Sequence, residues 1–211
     1  MSFELPGYRE CDGTYCFFPY EELPRLDETL WRGEFQWLTQ LDDQRRQALE
    51  LHQQTSADQL NTTLNALLAS AEALPLRLPA AFVTFMGRPD LREQIPSCTA
   101  CYFDLAQHIV KSPVGAEGYL IRFLNDQQGV LYWYLYLNAA GQEAVVVSPI
   151  LFDAEDLEAI STEAILRNVG FCGESFEAFL YRFWLENTLW FALSDGQALT
   201  EAQEHYVKHY Q

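Results

Sequence analysis

Cysteines and histidines offer the first chemistry. Cys98-Thr99-Ala100-Cys101 is a C-x-x-C pair, the spacing at which two sulfurs share a zinc ion or exchange a disulfide. A structural zinc needs four ligands, and the second pair on offer is Cys11 and Cys16, with an unusual four residues between them. Their flanks, Gly13-Thr14 and Pro96-Ser97, allow tight turns. A thioredoxin-like site needs a helix opening at the first cysteine, whereas Tyr102-Phe103 reads as extended chain. Burial as small hydrophobes is therefore the expected role of Cys98 and Cys101, with a metal or redox site as the alternative. His205 and His209 stand at i, i+4 on a predicted terminal helix, a spacing that could hold a metal. No Glu follows His205, so the H-E-x-x-H protease pattern is absent and both read as surface histidines. His52 and His108 have no obvious acidic or nucleophilic neighbour in sequence.

Nucleophilic and phosphate chemistry find less support. Gly173-Glu174-Ser175 lacks the second glycine of a G-x-S-x-G elbow and reads better as a helix N-cap. The 11 glycines are scattered, with no phosphate-cradling loop. Thirty carboxylates guarantee accidental acidic pairs, so no glycosidase-style dyad is assigned. The expectation is a protein that is not an enzyme, with no catalytic residue, no metal and no cofactor. A small metal protein or enzyme using Cys98 and Cys101 is the alternative.

Charge narrows the partners. The 211 residues carry 30 Asp and Glu against 13 Lys and Arg, a net charge of −17. That sign speaks against nucleic acid, whose binding needs phosphates neutralised, and against an anionic membrane surface. Residues 1–50 hold 11 acids and 5 bases, and residues 152–211 hold 11 and 3, so most of the surplus lies at the two ends. At 49% apolar and 14% aromatic residues, the chain is no disordered acidic tail. The longest stretch without Asp, Glu, Lys or Arg, Gln127 to Gln142, is 16 residues, short of the roughly 20 that span a bilayer. Glu4, Pro6 and Glu10 interrupt any signal-peptide run, and five cysteines form no even disulfide framework. A cytoplasmic location is expected.

The elements that must position these residues follow from periodicity. The one helical expectation in an otherwise aromatic, turn-rich start is a short helix near Asp27–Leu41, and residues 42–54 have a helical texture. Ser56 and Gln59 form a capping box before Leu60, Leu64, Leu67, Leu68 and Ala71, which predicts a helix over 57–73. Pro79 and Gly87 bracket a short apolar helix over 80–86, followed by a polar loop from Arg88 to Ser97 and an extended Thr99–Leu105. Residues 119–124, 130–137 and 143–148, separated by turns, predict an antiparallel meander. In the second strand Trp133, Leu135 and Leu137 face the core, while Tyr132, Tyr134 and Tyr136 face either further packing or a partner. Asp153, Glu155, Asp156 and Glu158 read as the acidic first turn of a helix. Ser175 caps the last strong helix, whose stripe of Phe176, Phe179, Leu180, Phe183 and Trp184 must bury against the sheet or a second chain.

The order of these pieces resembles a known family. Leu78-Pro79-Ala80-Ala81-Phe82-Val83-Thr84-Phe85-Met86-Gly87 is similar to the opening element of SUKH superfamily domains. Tyr119–Leu124 with Tyr132–Leu137 resembles that family's central hairpin, Glu143–Ser148 its next strand, and Glu174-Ser175-Phe176-Glu177-Ala178-Phe179-Leu180 its closing helix. The resemblance implies an α+β fold, a central mainly antiparallel sheet flanked by helices, over residues 56–192. Residues 1–55 are then an N-terminal extension packed on that core, and 193–211 a tail with a short helix. It also implies a bacterial immunity protein that neutralises a polymorphic toxin, and no catalytic residues. A basic toxin domain is the expected partner, with Asp153, Glu155 and Asp156 as acidic contacts and Tyr134 as an aromatic anchor. A regulatory or structural module, homodimeric through the helix over 176–191, is the remaining alternative.

Overall fold

In the computed structural model, the residues described are 10–12, 17–42, 55–113, 117–153 and 160–209. A two-stranded ribbon, β1 (Glu10–Asp12) with β2 (Phe17–Pro19), precedes two 3-10 turns at Tyr20–Glu22 and Glu28–Leu30. Six helices follow: α1 (Ala57–Ala73), α2 (Ala80–Gly87), α3 (Pro89–Arg92), α4 (Thr162–Arg167), α5 (Phe176–Ser194) and α6 (Glu201–Lys208). The main sheet holds β3 (Tyr102–Phe103), β4 (Val110–Lys111), β5 (Gly118–Asn125), β6 (Tyr132–Asn138), β7 (Glu143–Ser148) and β8 (Gly170–Gly173). All its pairings are antiparallel, in the order β3-β5-β6-β7-β8, with β4 also pairing β5. The chain is an α+β protein. No helix among the described residues is long and apolar enough to cross a membrane.

Local chemistry explains the strongest elements. Ser56 accepts the Gln59 N–H at 3.2 Å and Ser175 accepts the Ala178 N–H at 3.1 Å, so both long helices start at hydroxyl caps. Thr200 and Gln203 complete a reciprocal capping box on α6. The β5–β6 and β6–β7 turns contain Gly129 (φ +69°) and Gly141 (φ +76°), left-handed positions where a Cβ is unfavourable. Several sequence expectations shift. Residues 27–41 form a single 3-10 turn at Glu28–Leu30, and the Arg88–Ser97 loop includes helix α3. Gly87 ends α2 as its last helical residue, with Arg88 as the cap. The helical reading of 42–54 falls almost entirely outside the described residues.

The sheet is covered on both faces. On one, α2 and α5 pack over Ile121, Phe123, Trp133, Leu135, Val145 and Val147. Phe176 is the hub there, with ring centroids 5.1, 5.2 and 5.7 Å from Phe82, Phe123 and Phe85. These edge-on and tilted contacts suit the aromatic quadrupole. The α5 stripe from Phe176 to Phe183 thus packs inside the chain, while Trp190 and Leu193 at the helix end are exposed. The other face buries Leu120, Tyr134, Tyr136, Ala144 and Val146 beneath Phe152, Ile165, Val169 and Phe171. The tyrosines of β6 are therefore packing residues: Tyr134 is 0% exposed and Tyr136 3%. Residues 20–42 form a strap over the outside of α5, burying Leu23, Phe35 and Trp37 in the same cluster as the sheet and Tyr206 of α6.

Helix α5 lies close against β8 at Gly173, where a Cβ would stand 2.9 Å from the Phe179 Cβ and 3.2 Å from its backbone. Backbone cannot swing aside as a side-chain tip does, so Gly173→Ala should lower stability by about 1–3 kcal/mol. Urea unfolding monitored by tryptophan fluorescence measures this.

Candidate functional site

The densest polar constellation in the sheet depends on a bulge. Arg122 pairs with Tyr134, but Leu124 pairs with Trp133, leaving Phe123 as an extra residue in β5. The slip places Arg122 and Asn125, three residues apart, on the same face. Asp104 arrives from the end of β3, its N–H bonded to the Phe123 carbonyl at 3.1 Å. Asp153 arrives from the turn after β7.

Arg122 donates from Nε to both Asp153 oxygens at 3.1 Å and from Nη2 to Oδ2 at 2.9 Å. Its Nη1 donates to Asp104 Oδ2 at 2.9 Å and to Asn125 Oδ1 at 2.8 Å. Thr55 Oγ1 donates to the other Asp104 oxygen at 2.9 Å. The Arg122, Asp104 and Asp153 side chains are 12%, 24% and 10% exposed, so the cluster sits at the edge of solvent. Burial works against the guanidinium charge, yet Asp153 and Asp104 raise its pKa above the ordinary arginine value. One cation against two carboxylates leaves a net of −1, with both carboxylates spent on holding Arg122. Chemically this is a clamp fastening the 148–153 segment to the sheet.

Two of the four anticipated contact residues meet here, in other roles. Tyr134 donates its hydroxyl to the Ile150 carbonyl at 2.9 Å and accepts the Phe152 N–H at 3.0 Å. Burial pushes its pKa upward. A side chain wholly enclosed and bonded at its tip is no surface anchor, which corrects the expectation for Tyr134. Asp153 belongs to the clamp, and the helical stretch expected to follow it lies outside the described residues. Glu155 and Asp156 lie outside the described residues.

The C-x-x-C segment is a turn with Ala100 left-handed at φ +58°. Ser97 Oγ accepts the Cys101 N–H and Asn187 Oδ1 the Cys98 N–H, both at 2.8 Å. Burial pushes the Cys101 thiol up to about 11, so it is protonated at neutral pH and poorly suited to nucleophilic attack. Among the described residues no three His, Cys, Asp or Glu converge as metal ligands. Cys16 and His52 lie outside those residues. His205 and His209 are exposed on and just after α6, and the His209 ring bonds the Glu22 carbonyl of the strap.

Sequence reasoning missed the buried charges of α5. Glu177 accepts the Gly33 N–H at 2.7 Å and the Trp37 indole N–H at 3.3 Å, pinning the strap. Arg182 lies 5.8 and 5.9 Å from the Tyr20 and Tyr206 ring centroids and donates to the Tyr206 hydroxyl at 3.2 Å. That hydroxyl in turn donates to Glu186. The available signal was phase: Glu177, Arg182 and Glu186 fall within a mostly apolar helix. The strap borders three grooves of about 610, 500 and 370 Å³, the largest shared with α6 and the second with Glu174 and Arg182.

Comparison with protein-family models, with curated proteins and with solved structures gives no match.

Two measurements examine these buried charges. Removing Arg122 strands two carboxylates, so Arg122→Leu should cost about 3–5 kcal/mol. Adding Asp153→Asn should recover part of that loss, read as a coupling energy from urea unfolding of the four cycle members. Separately, burial raises the Glu143 carboxyl above its ordinary value of 4.5; the Phe176 N–H opposes the rise, and nearby Glu177 adds to it. The folded state then binds this proton more tightly than the unfolded chain does. Its contribution to stability falls as pH climbs above 4.5. Wild type should therefore lose stability relative to Glu143→Gln as pH rises, measured by urea midpoints from about pH 4 to 7.

Proposed function

We propose that this chain is a non-catalytic, acidic protein-binding module, an immunity protein that neutralises a basic toxin domain in the cytoplasm. The carrying observation is its surface charge. Among the described residues, 16 Asp and Glu side chains are exposed against seven Lys and Arg. An anionic surface of this kind accelerates encounter with a cationic partner and repels nucleic acid. A nuclease or deaminase domain that binds its substrate through a basic cleft is such a partner, and occupying that cleft blocks it. The likeness of Leu78–Gly87, the central strands and the Glu174–Leu180 start to SUKH domains supports the same reading. Glu155 and Asp156 remain contacts assigned on charge alone. Tyr134 and Asp153 are replaced in that role by the exposed carboxylates.

Genes for such pairs stand side by side, which makes the test direct. The protein encoded next to this one should arrest growth when expressed alone, and co-expression of this chain should restore it. The two should form a stoichiometric complex whose association rate falls steeply with added salt. A harmless neighbour on both sides, or a toxic one that neither binds nor is rescued, rejects the immunity reading.

A further inference from the structure

All three described grooves are bordered by one stretch, residues 20–37 of the strap. Arg25 and Leu26 line the two larger ones, on either side of the strap, and Leu30 lines the first and third. Leu30 is 38% exposed, one of only four large apolar side chains so exposed among the described residues. The largest groove is floored by Leu26, Leu30, Tyr181 and Leu185, with Asp27, Glu201 and Glu204 exposed around it. Across the strap, the second groove carries exposed Glu21, Glu28 and Glu174. Arg25 and Lys208 are the exposed cations among these linings. Arg182 is buried, held between two tyrosine rings and bonded to Tyr206.

The walls are fixed before anything binds. Glu177 holds the strap at Gly33 and Trp37, and the His209 ring ties α6 to the Glu22 carbonyl. Asp27 accepts both the Thr29 N–H at 3.0 Å and the Thr29 hydroxyl at 2.6 Å, which orients its carboxylate. A pre-formed apolar floor inside a rim of three carboxylates, two cations and His205 loses little entropy on binding.

We propose that the strap and α6 together form a docking groove for a cationic, amphipathic segment of a partner protein. Apolar side chains of that segment seat on Leu26 and Leu30, and its Lys and Arg side chains meet Asp27, Glu201 and Glu204. The proposal rests on the protein-binding reading above and adds where binding occurs. It assigns recognition to the N-terminal strap, outside the stretch that resembles SUKH domains.

A synthetic probe keeps the test independent of the neighbouring gene product. A fluorescent 18-residue peptide of Leu and Lys at helical spacing is titrated against the full chain at low salt, beside an isomer carrying Glu in place of Lys. Glu201→Lys/Glu204→Lys should weaken binding of the Lys peptide at least about tenfold, and Leu30→Ser several-fold. Asp58→Lys/Glu72→Lys, the same charge change on exposed sites of α1, should weaken it less than about twofold. All substitutions are at exposed side chains, and circular dichroism verifies folding. Equal weakening by the two charge-reversed pairs, absence of binding, or equal binding of the Glu peptide overturns the proposal. Self-association in sedimentation that Leu30→Ser abolishes assigns the groove to a second copy and also overturns it. Failure of the neighbouring protein to bind bears on the immunity reading alone.

Discussion

Strand β6 carries five consecutive buried residues, Trp133 to Leu137, so neither of its faces meets water. Antiparallel sheets commonly keep one face wet. Here a second cover is required, and the chain after β7 supplies it with Phe152, Ile165 and Phe171. Every polar group on that face must then find a protein partner. The Tyr134 hydroxyl finds two backbone groups, and Arg122 finds two carboxylates and an amide. The clamp at the β5 bulge follows from covering the sheet twice, because a loop laid over a sheet needs fastening at its polar edge.

That double cover also explains which features could be read in advance. Helices α1 and α5 were legible from their caps and apolar stripes, and the β5–β7 meander from its alternating strands and turn residues. Tyrosine alternation left the second face open, since Tyr suits a wet surface and a core equally well. Strand β8 is only four residues, Gly170–Gly173, too short to show a period. The acids at 153–156 announced their sign but not their partner, because Arg122 lies 31 residues before Asp153 and reaches it through tertiary packing. A bulge that sets two side chains on one face has no signature in composition. The candidate site was legible in its charge and illegible in its geometry.

Helix α5 serves two sides at once. Its Phe176–Phe183 stripe fills the sheet interface, while Glu177, Arg182 and Glu186 gather the strap and α6 around its outer side. Charges buried so deeply carry a large desolvation cost and persist only with bonded partners. Their effect is positional: they decide where the N- and C-terminal segments lie, and so where the exposed acids of both ends are displayed. Carboxylates of the strap and of α6 thereby line one groove, because α5 holds both segments.

The pin between Glu177 and the strap joins residues 144 and 140 positions apart. Contacts of such separation close a long loop, and they repay that entropy only once the surface receiving them exists. The strap is synthesised before its carboxylate anchor, which follows more than a hundred residues later. The segment made early is therefore fixed late, after the sheet and α5 have come together. Recognition and assembly thus meet in one place, because the surface exposing Leu30 and its surrounding carboxylates is complete only when folding is.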